Sequence, residues 1–320
     1  MERFQFDQRT KVVEIASNDG YLLQNFVGRG IPALGIEPAA NVAEAARKKG
    51  VETRVAFFGE KTAAELWEEG WAADLIIGNN VLAHVPDLND FVKGLKTLLR
   101  PTGLVTMEFP HLFQLMRYNQ FDTIYHEHFS YFSFLAVEQV FVRHGMRLFD
   151  VEELPTHGGS LRIYACHAED GSKPVSSRAG ALKAREEAEG FGRLSHYLSF
   201  GPQVEETKRK LLAFLIAAKE RKQRVVGYGA PAKGNTLLNY CGVRMDLLDY
   251  TVDRSPYKQG HYLPGVRLPI YAPDRIRETR PDYVLILPWN LRDEVMQQMA
   301  YIREWGGSFV VPIPEVKVYA

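Results

Sequence analysis

The chain has 320 residues, enough for two domains or one large one. Lys plus Arg number 39 and Asp plus Glu 39, so the formal net charge of +0 leaves no overall basic excess for nucleic acid, and two cysteines, Cys166 and Cys241, exclude a disulfide framework or a multi-thiolate zinc site. No apolar run approaches the roughly 20 residues of a membrane span, and the charged N-terminus lacks the apolar core of a signal peptide; a reduced, soluble, cytoplasmic protein is expected, with neither nucleic acid nor membrane as partner.

Residues 11–16 (KVVEIA) form a short apolar run that predicts a strand, followed by a turn with Asn18, Asp19 and Gly20. Residues 21–27 read as a helix, 32–37 (PALGIE) as a second strand, and 41–49 as an Ala-rich helix stopped by Gly50. Strands at 51–55, 74–77 and 103–109 alternate with helices at 60–69 and 88–99. Such alternation predicts a parallel sheet with helices on both faces. The long segment 110–133 carries no clear element, and a structureless stretch of that length is usually functional. After a helix at 137–144, two strands at 146–154 and 160–166 are separated only by PTHGG. They are expected to be antiparallel neighbours at the end of the sheet.

Polar turn formers at 168–177 place a domain edge there, giving a first domain of 1–170 and a helical linker of 171–223. A smaller α/β domain, 224–320, follows. It opens with a strand at 224–228 and the Gly-rich turn GAPAKGN at 229–235. Strands at 248–253, 283–287 and 309–311 and a helix at 293–305 complete it, again as a parallel sheet.

Ligands of doubly wound sheets bind beyond the carboxyl ends of the strands, so the loops at that edge are the candidate site. Glu14, Ala16, Asn18 and Gly20 lie in or beside the first such loop, and Glu37-Pro38 ends the second strand. A carboxylate there can accept both hydroxyls of a ribose. The G-x-G-x-x-G pattern is absent and the loop is acidic, which suits a cationic cofactor and favours S-adenosylmethionine over NAD. Asn79, Asn80 and His84 follow the fourth strand; an amide pair can hold a cofactor's amino-acid end or a substrate hydroxyl. The block YHEH supplies Tyr125, Glu127 and His128, residue types suited to acid–base chemistry. No H-E-x-x-H helix supports a metal at His126, Glu127 and His128, and none is expected. Ser160 and Arg162 follow two glycines that let the backbone approach a ligand. Tyr228, Lys233 and Asn235 lie at the Gly-rich turn of the second domain, where a helix N-terminus can meet phosphate.

The blocks EIASNDGYLL, GIEPAANVAEAA, NNVLAHVPDLNDFV, IYHEHFSYFS, HGGSLRIYA and GYGAPAKGN, in this order, resemble the S-adenosylmethionine-dependent sugar C-methyltransferases. The resemblance spans nearly the whole chain. It implies a class I methyltransferase Rossmann-like domain, mostly parallel with an antiparallel end, followed by a smaller Rossmann-like α/β domain. It further implies methylation at a carbon alpha to a ketone of a nucleotide-linked sugar, dTDP-4-keto deoxysugars being the family's acceptors. A non-catalytic nucleotide-sugar-binding protein and an NAD-dependent sugar dehydrogenase are the alternatives. In this chain it assigns the cofactor to the loop from Glu14 to Gly20 and to Glu37, with Asn79 and Asn80 beside the methionine end. It places His84, Tyr125, Glu127 and His128 in the active site, His128 as the base, and the sugar nucleotide near Lys233. The family begins with a cysteine-built zinc-binding module, whereas the first strand here starts at residue 11. That departure implies a truncated chain, a separate zinc-domain partner, or a variant with another acceptor.

Overall fold

The computed structural model describes residues 2–320. Tertiary contacts divide the chain into two units. One holds the residues up to Phe113 together with Glu127–Arg193; the other holds Gln114–His126 and Leu194–Ala320.

The first unit contains seven strands: β1 (Val12–Ile15), β2 (Ala33–Ile36), β3 (Glu52–Arg54), β4 (Ala73–Asn79), β5 (Leu99–Pro110), β6 (Met146–Leu154) and β7 (Ser160–His167). Their order is β3-β2-β1-β4-β5-β7-β6. The first five are parallel, while β7 runs antiparallel to both β5 and β6, as the short PTHGG connection requires. Successive side chains of a strand point to opposite faces. Val13, Leu34, Ile76 and Val105 therefore enter one core with Phe91, Phe134 and Phe141, and Val12, Ala33, Leu75 and Leu104 enter the other. Each fully buried Leu, Ile or Phe contributes about 1.5–3 kcal/mol.

The second unit contains β8 (Val225–Tyr228), β9 (Thr251–Val252), β10 (Ile270–Tyr271), β11 (Tyr283–Ile286), β12 (Ser308–Val311) and β13 (Lys317–Tyr319), in the order β10-β9-β8-β11-β12-β13. The expected all-parallel sheet is corrected at its edge: β13 pairs antiparallel with β12. The few residues joining them are too few for the crossover that a parallel pair needs.

The helical segment expected as a linker does not behave as one. Helix Ser177–Glu189 buries Ala179 and Leu182 in the first unit's core, and helix Phe200–Glu220 buries Leu211, Leu215 and Ala218 in the second's. Nor is segment 110–133 structureless. It contains helix Leu112–Arg117 and a 3-10 turn, Phe121–Thr123, with Phe113, Leu115, Met116 and Phe121 buried. No helix among the described residues is long and apolar enough to cross a membrane.

Candidate functional site

The turn after β1 has three left-handed positions, Ala16, Asn18 and Gly20, at φ 55°, 53° and 74°. Gly20 is required there twice over: a Cβ would be strained at that φ and would meet Val51 Cγ2 at 2.9 Å. Glu37, at the end of β2, fixes this turn. Its Oε2 accepts from Asn18 N at 3.1 Å and its Oε1 from Ala39 N at 2.9 Å. Each carboxylate oxygen keeps a second lone pair, so Glu37 can hold the turn and still accept from hydroxyls.

Glu14 is buried on the β1 face it shares with Val12. Burial pushes its carboxyl up to about 8, so it carries little charge at neutral pH. Asp19 is paired with Lys49 at 2.5 Å. The loop is thus far less negative than its composition implies, and the charge argument for a cationic ligand loses its force. The fit rests instead on shape and on orphaned polar atoms. Glu14 Oε2 and Ser17 Oγ, both buried, have no hydrogen-bond partner. A cavity of about 380 Å³ opens beside Ala16 and Pro38, lined by Ile15, Phe57, Val81 and His84 among others. Its apolar walls at the carboxyl ends of β1, β2 and β4 suit an adenosine, and Glu37 precedes Pro38 of its lining. Phe57, exposed at 82%, was not singled out by sequence reasoning; an exposed aromatic soon after a strand end was the available signal.

Asn79 ends β4 opposite Glu108 of β5. Asn80 takes φ 54°, its N–H donates to Glu108 O at 2.8 Å, and its Nδ2 meets His157 Nε2 at 3.3 Å. The Glu108 carboxylate, buried, accepts from Thr156 Oγ1 at 3.0 Å and Arg162 at 2.7 Å. Glu108 and His157 were both missed from sequence; an acid at the carboxyl end of a predicted strand and a histidine before two glycines were the signals. Arg162 is held between Glu108 and Glu152, and Ser160 is buried with its hydroxyl donating to Thr156 O. Both side chains are bonded within this turn and its flanking strands.

His84 closes a 3-10 turn, and its Nδ1 lies 2.8 Å from Glu127 O. A carbonyl only accepts, so Nδ1 carries the proton and Nε2 of the neutral ring is left as an acceptor. The His84 and His128 rings lie 4.8 Å apart between centroids, and His128 meets Tyr131 edge-on at 5.6 Å. Ala83 O binds this loop by accepting from Phe129 N and Ser130 N. The structure therefore brings His84 and His128 together. The Glu127 main-chain oxygen, not its exposed carboxylate, meets His84. Tyr125, half-buried, lies on the other side of the boundary between the two units, which runs through YHEH after His126.

In the second unit, the turn after β8 is shaped by Gly229 at φ 89°, where a Cβ would stand 2.6 Å from Pro288 Cδ. The next peptide group of the turn is already engaged: Ala230 N donates to Asp253 Oδ2 at 2.7 Å, and Lys258 Nζ donates to Ala230 O at 3.0 Å. A cavity of about 250 Å³ at this edge is lined by Tyr228, Asp253, Arg254, Lys258 and Gln298 among others, with Tyr228 Oη donating to Gln298 at 3.3 Å. Lys233 and Asn235 do not line it. Asn235 Oδ1 accepts from Asn239 at 3.2 Å. Lys233 donates to Asn290 at 2.8 Å and lies 4.4 Å over Trp289, whose Nε1 donates to Asp122 Oδ2 at 2.7 Å. Burial pushes Asp122 up to about 7, against the pull of Lys233 and Trp289, and pushes Lys233 down. The cations of this cavity are Arg254 and Lys258.

A family model described as a methyltransferase domain matches residues 2–151, and one described as the C-methyltransferase C-terminal domain matches 155–314. C-methyltransferase NovU of Streptomyces niveus is 36% identical over 318 residues, covering 99% of this chain and 76% of the relative. A ubiquinone biosynthesis O-methyltransferase of Rhodopseudomonas palustris is 26% identical over 97 residues, covering 30% of this chain and 38% of the relative. Among solved structures, a SAM-dependent methyltransferase of Anabaena variabilis has a TM-score of 0.43 at 16% identity, covering 52% of this chain and 80% of that one.

Proposed function

The chain belongs to the C-methyltransferase family and uses S-adenosylmethionine, and from that premise we propose that its acceptor is a carbon alpha to a ketone of a nucleotide-linked sugar, of the dTDP-4-keto-deoxy type. Bound S-adenosylmethionine supplies the methyl group as an electrophilic carbon. The chain's own residues must make a carbon nucleophile, and a neighbouring ketone acidifies the proton to be removed.

The observation that carries this reading is the contact between His84 and His128. Two imidazoles side by side, one with its tautomer fixed by Glu127 O, are suited to take a proton near neutral pH. His128 removes the proton, and His84, with Nε2 as its acceptor, lies next to it to share the charge. The fixed tautomer of His84 also favours a second reading, in which His84 is itself the base. Glu37 accepts from the ribose, and Asn79 and Asn80 bind the methionine end. Arg254 and Lys258 receive the diphosphate at the edge of the second sheet.

The test is the reaction itself. The protein is incubated with S-adenosylmethionine and a dTDP-4-keto-deoxy sugar, and the product is read by mass and by carbon NMR. A methyl group on the carbon next to the ketone supports the reading; a methyl group on oxygen, or none with any such sugar, contradicts it.

A further inference from the structure

Asn80 and His157 both hold left-handed backbone angles, at φ 54° and 57°, which side-chain-bearing residues rarely adopt. His157 is followed directly by Gly158 and Gly159, at φ 92° and 126°. A glycine would fill position 157 with less strain; the imidazole that stands there instead meets Asn80. The topology brings the pair together. β7 runs antiparallel to β5 with Ser160 opposite Pro110, so the β6–β7 turn arrives at the carboxyl edge, where Asn80 follows β4. Thr156 Oγ1, donating to Glu108, ties down the same turn.

Asn80 Nδ2 faces His157 Nε2 at 3.3 Å. An amide nitrogen only donates, so Nε2 accepts and the ring is neutral with its proton on Nδ1. The amide is then fixed, with its oxygen turned away from the ring.

We propose that His157 is a positioning residue: by accepting from Asn80 Nδ2 it keeps the Asn80 amide oxygen as the acceptor for the ammonium group at the amino-acid end of S-adenosylmethionine. The inference rests on the reading that Asn80 lies beside that end.

The experiment is calorimetry with two probes. S-adenosylhomocysteine has the amino-acid end; 5′-methylthioadenosine lacks it. His157→Gly removes the imidazole while relieving the backbone, so the variant folds. It should bind S-adenosylhomocysteine roughly five- to tenfold more weakly, the scale of one hydrogen bond, with 5′-methylthioadenosine unchanged. His157→Gln restores an acceptor and should recover most of the loss. Asn80→Ala should lose at least as much as His157→Gly for the first probe only. Equal weakening of both probes in His157→Gly, no recovery in His157→Gln, or unchanged S-adenosylhomocysteine affinity in His157→Gly beside a weakened Asn80→Ala, would each overturn the role of His157. Unchanged affinity in Asn80→Ala would overturn the underlying reading of Asn80, and the inference with it.

Discussion

Glu186, at the end of helix Ser177–Glu189, caps the start of helix Phe134–Arg143: its carboxylate accepts from Phe134 N at 2.8 Å and Leu135 N at 3.0 Å. The same carboxylate, fully buried, meets His111 Nε2 at 2.7 Å. The capped helix begins soon after His128, so a carboxylate from the expected linker fixes the end of the loop that carries the proposed base. Helix N-termini leave N–H groups that need such partners, and the partial positive charge there favours an anion.

Glu186→Ala strips two buried amides and His111 of their acceptor. Loss of one side of a buried charged network costs about 3–5 kcal/mol. Denaturant unfolding should show a loss of that order, with Glu186→Gln, which keeps one acceptor, in between. A loss under about 1 kcal/mol would mean that water replaces the carboxylate.

Glu14 makes stability depend on pH. Its folded pKa, about 8, stands above the ordinary carboxylate value of 4.5 because burial disfavours the charged form. The folded chain therefore holds this proton where the unfolded chain has lost it. The stabilisation is complete below about pH 4.5 and is lost as pH rises towards 8. Glu14→Gln cannot ionise, so its melting temperature should fall less than the wild type's between pH 6 and 8.5, by roughly 2–4 °C for each kcal/mol involved. Parallel melting curves for the two proteins would show that Glu14 stays ionised in the fold.

Glu37→Ala should weaken S-adenosylhomocysteine binding by about 1.5–3 kcal/mol, the range for hydrogen bonds to a charged group. Part of that loss comes from releasing Asn18 N, which Glu37 holds. Glu37→Gln retains an acceptor and should lose less. Calorimetry on the folded variants decides it, and unchanged affinity in Glu37→Ala would remove this residue from the ribose site.

Sequence reasoning singled out Lys233 and not Lys258, and the second unit gives the two lysines different surroundings. Lys258→Ala should raise KM for the sugar nucleotide several-fold, because Lys258 lines the cavity at β8. Lys233→Ala should chiefly lower the melting temperature, since it strips Trp289 and buried Asp122 of their cation. The reverse pattern would restore Lys233 as the phosphate-binding residue.

Strand positions were legible in the sequence because buried parallel strands are continuous apolar runs, as in residues 11–16, 74–77 and 283–287. The antiparallel end was legible because PTHGG is too short for a crossover. The role of Lys233 was not: whether a lysine faces a ligand or lies over a Trp depends on Trp289 and Asp122, remote in sequence. Segment 110–133 looked structureless because its helix is a short one, Leu112–Arg117, below the length at which periodicity speaks. His84 and His128 were each visible as histidines in strand-end loops, but their contact depends on main-chain bonds to Ala83 O, which no spacing encodes.

The central claim is that a histidine of this pair generates the carbon nucleophile, and proton exchange tests it without methyl transfer. The nucleotide-linked keto sugar is held in deuterated water with the enzyme and S-adenosylhomocysteine, and loss of the proton next to the ketone is followed by NMR. The wild type should exchange it, and His128→Asn should be slower by roughly 10²–10⁴, the usual contribution of general acid–base catalysis, while binding both ligands as before. Exchange at the wild-type rate in His128→Asn, with exchange abolished in His84→Asn, would move the base to His84; undiminished exchange in both variants would contradict the account.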